Sequence, residues 1–221
     1  MLPRIHRSYE PLSLAETFRK IYATKAWGGN GERFSSGAGS RGDAAELYCS
    51  FVTKFIVERG IRSVVDLGCG DFAVGQQIVD RTGILYTGVD IVPELIEHHK
   101  STVADSRVNF ACVDIARDNP PDADLCLIRQ VLQHLSNREI AQVLANVRDY
   151  RYTLISEDVP IRPKMFNRDK PHGPDVRSYY GSGVYVDEPP FSMTVSERWE
   201  AALGVRTLLR TVLVERGTER R

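Results

Sequence analysis

Leu14, Phe18, Ile21 and Tyr22 follow an i, i+4, i+7, i+8 stripe, which predicts a helix over 12–25. Residues 27–42 (WGGNGERFSSGAGSRG) are rich in glycine and serine and read as a loop. Asp43 can then cap a second helix with Leu47, Tyr48, Phe51, Phe55 and Ile56 on its apolar face, ended by Gly60. From Ile61 the rhythm changes. Short β-rich runs at 63–67, 85–89, 108–113, 124–128 and 152–156 alternate with helical stretches at 73–82, 93–104 and 136–150. Ser136 with Glu139 three residues on forms a capping-box pattern at the last of these. Strands alternating with helices imply βαβ units and a parallel sheet covered on both faces. Six prolines between 160 and 190 break the alternation, and 205–215 (VRTLLRTVLVE) reads as a closing strand.

At 221 residues the chain is long enough for one domain with extensions and a core of its own. Lys plus Arg and Asp plus Glu are each 29, so the net charge is zero, which argues against a general nucleic-acid binder. No apolar run approaches the ~20 residues of a membrane span. The first residues carry no apolar leader, so a cytoplasmic protein without membrane association is expected. Cys49, Cys69, Cys112 and Cys126 show no C-x-x-C spacing and fit reduced thiols.

The strongest chemical signal is VVDLGCGDFAVG, Val64 to Gly75. An apolar strand runs into Asp66, then Gly68 and Gly70 make a tight turn before a helix. Glycine there permits positive φ and close approach of a ligand, and a helix start offers free N–H groups. Two readings fit. Gly68, Gly70 and Ala73 match G-x-G-x-x-A with Asp90 twenty residues beyond, a nicotinamide-dinucleotide pattern. An S-adenosylmethionine (SAM) site is the other.

The second reading gains from a resemblance. Asp66-Leu67-Gly68-Cys69-Gly70 resembles motif I of class I SAM-dependent methyltransferases; Tyr86–Ile91, Asn109–Ile115 and Asp122–Ser136 resemble their following strand-end motifs. Phe72 stands where the common pattern has a third glycine. The resemblance covers about residues 61–156. It implies that Asp90 holds the ribose hydroxyls, Ile91 packs on adenine, Asp114 and Ile115 meet the adenine edge, Asp66 reaches the ammonium, and Arg129 joins the cofactor set. A carboxylate suits a diol because it accepts two hydrogen bonds. Asp90 and Asp114 also stand where acids simply cap a following helix.

Trp27-Gly28 and Ser36-Gly37-Ala38-Gly39-Ser40 are similar to a pattern ahead of motif I in bacterial methyltransferases of sugar and polysaccharide pathways, the actinobacterial methylmannose enzymes among them. Such a loop before a helix can form an anion-binding nest, which makes Trp27, Ser36, Gly37 and Ser40 candidates for covering the methionine end. A plain linker is the competing reading.

A hydroxyl acceptor calls for a general base, and His134, just past the fourth strand, is the candidate; a structural histidine is the alternative. Glu157 can orient it. No H-E-x-x-H or C-x-x-C pattern marks a metal site, while a magnesium ion loosely held on carboxylates stays open. His98 and His99 are expected to be exposed. The 160–191 loop, with Tyr179, Tyr180, Tyr185, Phe191, Arg168, His172 and Arg177, reads as an acceptor pocket for a sugar or oligosaccharide, an aromatic small molecule, or a homodimer contact.

The expected fold is α/β: a doubly wound Rossmann-like sheet of five parallel strands plus one antiparallel element. Residues 1–60 supply helices and a cofactor-covering loop, and 61–221 the catalytic core, in one domain. The expected function is O-methylation of a small hydroxylated acceptor. An NAD(P)-dependent dehydrogenase and a non-catalytic SAM-fold scaffold are the alternatives.

Overall fold

The computed structural model describes residue 9 and residues 12–29 and 33–216. The first eight residues, on which the expectation of no leader rests, lie outside the described residues. Strands β1 (Ser63–Leu67), β2 (Leu85–Asp90), β3 (Val108–Cys112), β4 (Leu125–Arg129), β5 (Tyr152–Pro160), β6 (Glu197–Ala202) and β7 (Thr207–Glu215) form one sheet in the order β3-β2-β1-β4-β5-β7-β6. The first five are parallel, and β7 runs antiparallel between β5 and β6. Order reverses between β1 and β4, which opens a crevice at the strands' carboxyl ends.

Helices α1 (Leu14–Ala23), α2 (Gly42–Arg59), α3 (Ala73–Thr82), α4 (Pro93–Thr102) and α5 (Asn137–Asn146) accompany it. Neighbouring strand residues alternate between two cores. Val64, Leu125, Leu127 and Leu154 pack with Tyr48, Val52 and Ile56 of α2 and Ile78 of α3. Val65, Cys126, Ile128 and Ile155 pack with Ile140, Val143 and Leu144 of α5. Burial on both sides explains why these strands read as unbroken apolar runs.

The structure corrects several expectations. Asp43 does not cap α2: the helix begins at Gly42, Arg41 holds the cap position without a side-chain bond, and Asp43 sits in the first turn, where its charge suits the helix dipole. Leu47 is exposed, and Val52 takes a place in the core. The closing element is a hairpin. Its edge strand β6, ERWEAA, carries no apolar alternation, so its identity comes from pairing with β7 and from Trp199 stacking on Phe51 at 4.6 Å.

The 160–191 segment is a built bracket. Arg177 is almost wholly buried and donates to Asn137 Oδ1 at 2.8 Å, Arg168 O at 2.5 Å and Leu135 O at 2.6 Å. Asn167 exchanges bonds with the Tyr185 backbone, 2.8 Å each way. His172 bridges Glu139 Oε1 at 2.6 Å and Leu12 O at 3.2 Å. These polar side chains are spent on the chain itself. Tyr185 is buried and Tyr179 is exposed, so the expected acceptor pocket of loop aromatics does not form.

Candidate active site

The turn after β1 carries the site. Gly68 and Gly70 take φ of +81° and +53°, so both need glycine. A Cβ on Gly68 would lie 2.4 Å from the Val131 side chain, and one on Gly70 2.1 Å from Ser36 Oγ. Phe72 has φ +62°, the left-handed conformation that the absent third glycine would supply. Such strain costs about 1–3 kcal/mol. The ring offsets it by packing against Phe110 at 5.0 Å and Tyr86 at 5.3 Å. His99 is not exposed as expected. It is buried, stacks on Phe110, and its Nε2 lies 2.7 Å from Gly70 O, so it donates to the turn.

Asp90, at the end of β2, accepts from Gly70 N at 3.3 Å and Val92 N at 3.1 Å. Burial pushes its carboxyl up to about 6 despite those bonds. Asp66 is also pushed up to about 6 by burial and accepts from the Tyr86 hydroxyl at 2.6 Å. Ile91 and Ile115 line the same cavity. Asp114 does not: it accepts from Ala116 N at 3.1 Å and lies 3.6 Å from Arg117, fastening the turn after β3.

A roof closes over the turn. Phe18 and Tyr22 of α1 meet Trp27 at 6.0 and 5.5 Å, and the Trp27 indole donates to Pro174 O at 3.1 Å. The serine-glycine loop is fastened by Asp71, which composition did not single out. Its Oδ2 accepts from Ser36 N at 3.0 Å and Ser40 Oγ at 3.1 Å, and its own N–H donates to Ser36 Oγ at 2.8 Å. The anion in that loop is therefore a protein carboxylate. Gly37, at φ +85°, turns the chain into the latch. Arg129 donates to Gly39 O at 2.6 Å, lies over the Tyr48 ring at 4.9 Å, and keeps a buried Nε without a partner.

His134 is buried between Trp27 at 4.8 Å and Phe18 at 6.4 Å. Its Nδ1 lies 3.2 Å from Gly173 O, which makes Nδ1 the donor and leaves Nε2 as an acceptor. Burial, aided by the Lys170 ammonium, pushes its pKa down to about 3. Glu157 is not in this cavity. It lies beneath it, accepting from Leu132 N at 2.8 Å and Gln133 N at 3.3 Å, and burial pushes it up to about 8. It holds the backbone that presents His134 and does not touch the imidazole.

Roof and turn line a single cavity that is partly open to solvent. Its lining offers buried carboxylates (Asp66, Asp90), apolar plates (Ile91, Ile115, Val131) and the unpaired Arg129 nitrogen. That donor set fits a ligand with a diol, a flat heterocycle and a zwitterionic end, as SAM has. Among the described residues no three His, Cys, Asp or Glu gather as metal ligands, and no helix is long and apolar enough to cross a membrane.

Residues 65–150 match the family described as a methyltransferase domain. That stretch, set in a sheet of this strand order, is similar to a methyltransferase domain. No curated protein sequence matches the chain. Among solved structures, Burkholderia thailandensis 1,6-didemethyltoxoflavin-N1-methyltransferase, with bound 1,6-didemethyltoxoflavin and S-adenosylhomocysteine, superposes with a TM-score of 0.59 at 16% identity. That match covers 96% of this chain and 91% of the other. Human N-acetylserotonin methyltransferase in complex with SAM gives 0.57 at 15% identity; the match covers 96% of this chain but only 62% of the human one. The N-methyltransferase NodS of Bradyrhizobium japonicum, in complex with S-adenosylhomocysteine, gives 0.56 at 15%, with 77% and 86% covered. At these identities the likeness is one of fold. The matched stretch runs from within β1 to just past α5, so the roof and the bracket lie outside it.

Proposed function

We propose that this protein transfers a methyl group from SAM to a small acceptor bound under the roof, and that the acceptor atom is a hydroxyl, a sugar or oligosaccharide hydroxyl foremost. The observation that carries the reading is the enclosed cavity at the β1 turn with Asp90, Asp66 and the unpaired Arg129 nitrogen around it. Asp90 would hold the ribose, Arg129 the carboxylate and Asp66 the ammonium, with Ile91 and Ile115 on adenine. The Ser36–Ser40 loop and Trp27 cover the site and exclude water, and Asp71 keeps the loop shut. Bound SAM supplies an electrophilic methyl group on a sulfonium. The aromatic wall of Phe18, Tyr22 and Trp27 suits the CH faces of a sugar.

His134 is a neutral acceptor at ordinary pH. It is too weak a base to ionise an alcohol beforehand. It can accept the hydroxyl's hydrogen bond through Nε2, orient the oxygen, and take the proton as positive charge grows there. His134→Ala is therefore expected to lower turnover about a hundredfold, the small end of general-base effects, with SAM affinity unchanged. At saturating SAM the turnover rate should show no acid limb near pH 6.5 from His134. Stability shows one instead: the unfolded chain protonates this histidine below about 6.5 and the folded chain does not until about 3. Its contribution is present above pH 6.5 and is lost as pH falls toward 3, by about 1.4 kcal/mol per unit. Melting curves of wild type and His134→Gln at stepped pH should diverge in that window. A mutant with normal turnover removes the proton acceptor and favours an acceptor such as an amine or carboxylate, which needs none.

The reading as a whole is tested by thermal shift with SAM, S-adenosylhomocysteine and NAD, followed by transfer of labelled methyl to a panel of sugars and oligosaccharides. Stabilisation by the first two and not by NAD is expected. Stabilisation by NAD alone would restore the dehydrogenase reading, and SAM binding with no transfer to any acceptor class would favour a scaffold.

A further inference from the structure

Two chain tips meet at the carboxyl end of β5. Ile161 N donates to Arg206 O at 3.0 Å, which joins the start of the bracket to the β6–β7 turn. Together they expose four apolar side chains: Val205 at 92%, Met165 at 51%, Phe166 at 48% and Ile161 at 47%. Interleaved with them are Arg162, Lys164 and Arg206, all exposed and none with an ion-pair partner among the described residues. Of the neighbouring acids, Asp187 pairs with Arg198 and Glu200 with Arg210 at 3.3 Å, while burial raises the pKa of Asp158, which has no ion-pair partner among the described residues. Asp169 accepts from the Asn137 backbone.

We infer that this tip is a docking surface for an anionic lipid bilayer. A valine at a hairpin apex, 92% exposed beside Gly204 at φ +103°, has nothing of its own fold to pack against. That exposure at a hairpin apex suits insertion below headgroups. A collar of unpaired cations around apolar tips complements anionic headgroups over acyl chains. This departs from the expectation of no membrane association, which rested on the lack of a spanning run and of an apolar leader.

The test is flotation of the full chain with vesicles of phosphatidylcholine alone and of phosphatidylcholine with phosphatidylglycerol at three to one. Binding to the anionic vesicles only, weakened by salt, is expected. Near an anionic surface each cation contributes about fivefold, so Arg162→Gln/Lys164→Gln/Arg206→Gln should cut the partition coefficient by about a hundredfold. Val205→Asp/Phe166→Ser should cut it at least tenfold. Both variants should keep the wild-type SAM affinity, because none of these side chains lines the cavity; the charge variant should also keep the melting temperature, while loss of the Phe166 ring from Tyr185, 4.8 Å away, lowers it slightly in the other. No binding to anionic vesicles, or equal binding by the variants, overturns the proposal. So does concentration-dependent dimerisation of the wild type that Val205→Asp abolishes without any vesicle binding, which would assign the tip to a second copy.

Discussion

Asp90→Ala is expected to weaken SAM binding at least a hundredfold. Each hydrogen bond to an ionised acceptor is worth about 1.5–3 kcal/mol, and a ribose diol makes two. The same carboxylate accepts from Gly70 and Val92 N–H groups, so its loss also frees the turn it steadies. Asp90→Asn keeps one carbonyl acceptor and should fall between the two. Because burial raises the Asp90 carboxyl to about 6, wild-type affinity should decline as pH drops through that value and the carboxylate takes a proton. Calorimetry on samples of matched melting behaviour reads both effects. Unchanged affinity in a folded Asp90→Ala protein would sink the ribose assignment.

Arg177→Ala is expected to cost about 3–5 kcal/mol of stability, because it strands three acceptors in the interior: the Asn137 side chain and the Arg168 and Leu135 carbonyls. At this chain length that lowers the melting temperature by roughly ten degrees. Burial already lowers the guanidinium's pKa, with Asp169 and Glu157 as its compensating charges. Arg177→Lys should recover only part of the loss, since an ammonium cannot reproduce a planar fork. Denaturation monitored at Trp27 should show the bracket failing first, because the indole bonds to Pro174 within it. An unchanged melting temperature would mean that the bracket holds without its arginine.

The sheet was legible where burial on both faces writes continuous apolar runs, as in β1 and β4, and where a cap pattern is strictly local, as at Ser136 and Glu139. That Gly68, Gly70 and Asp90 come together at one cavity was legible because spacing after a strand carries their geometry. What escaped depends on contacts between distant segments. Asp71 is one acid among many until the fold sets it against Ser36 and Ser40, 35 and 31 residues away. His99 looks like the partner of His98 on a polar helix, and only the packing of Phe72 and Phe110 turns it inward to Gly70. Arg177 and His172 carry the charge expected of a ligand pocket, yet the chain uses them to hold itself. β6 was invisible because an edge strand beside β7 needs only one buried side and shows barely that.

The roof has a consequence for the order in which the molecule is made. Helix α1 leaves the ribosome before the sheet, but the partners that fix it lie far downstream: Glu94 for Arg19, Gly173 and Pro174 through His134 and Trp27, and His172 for Leu12. The Trp27–Pro174 bond alone closes a loop of 147 residues. Closing so long a loop carries an entropic cost that a ten-residue helix cannot meet by itself. The sheet is therefore expected to form with its crevice open, and α1, though made before it, to dock after it. In the finished protein the same inequality predicts a ranking of opening free energies, read by hydrogen exchange, in which the roof opens before the strands part. A cofactor can enter and leave through that local opening while the fold beneath stays intact.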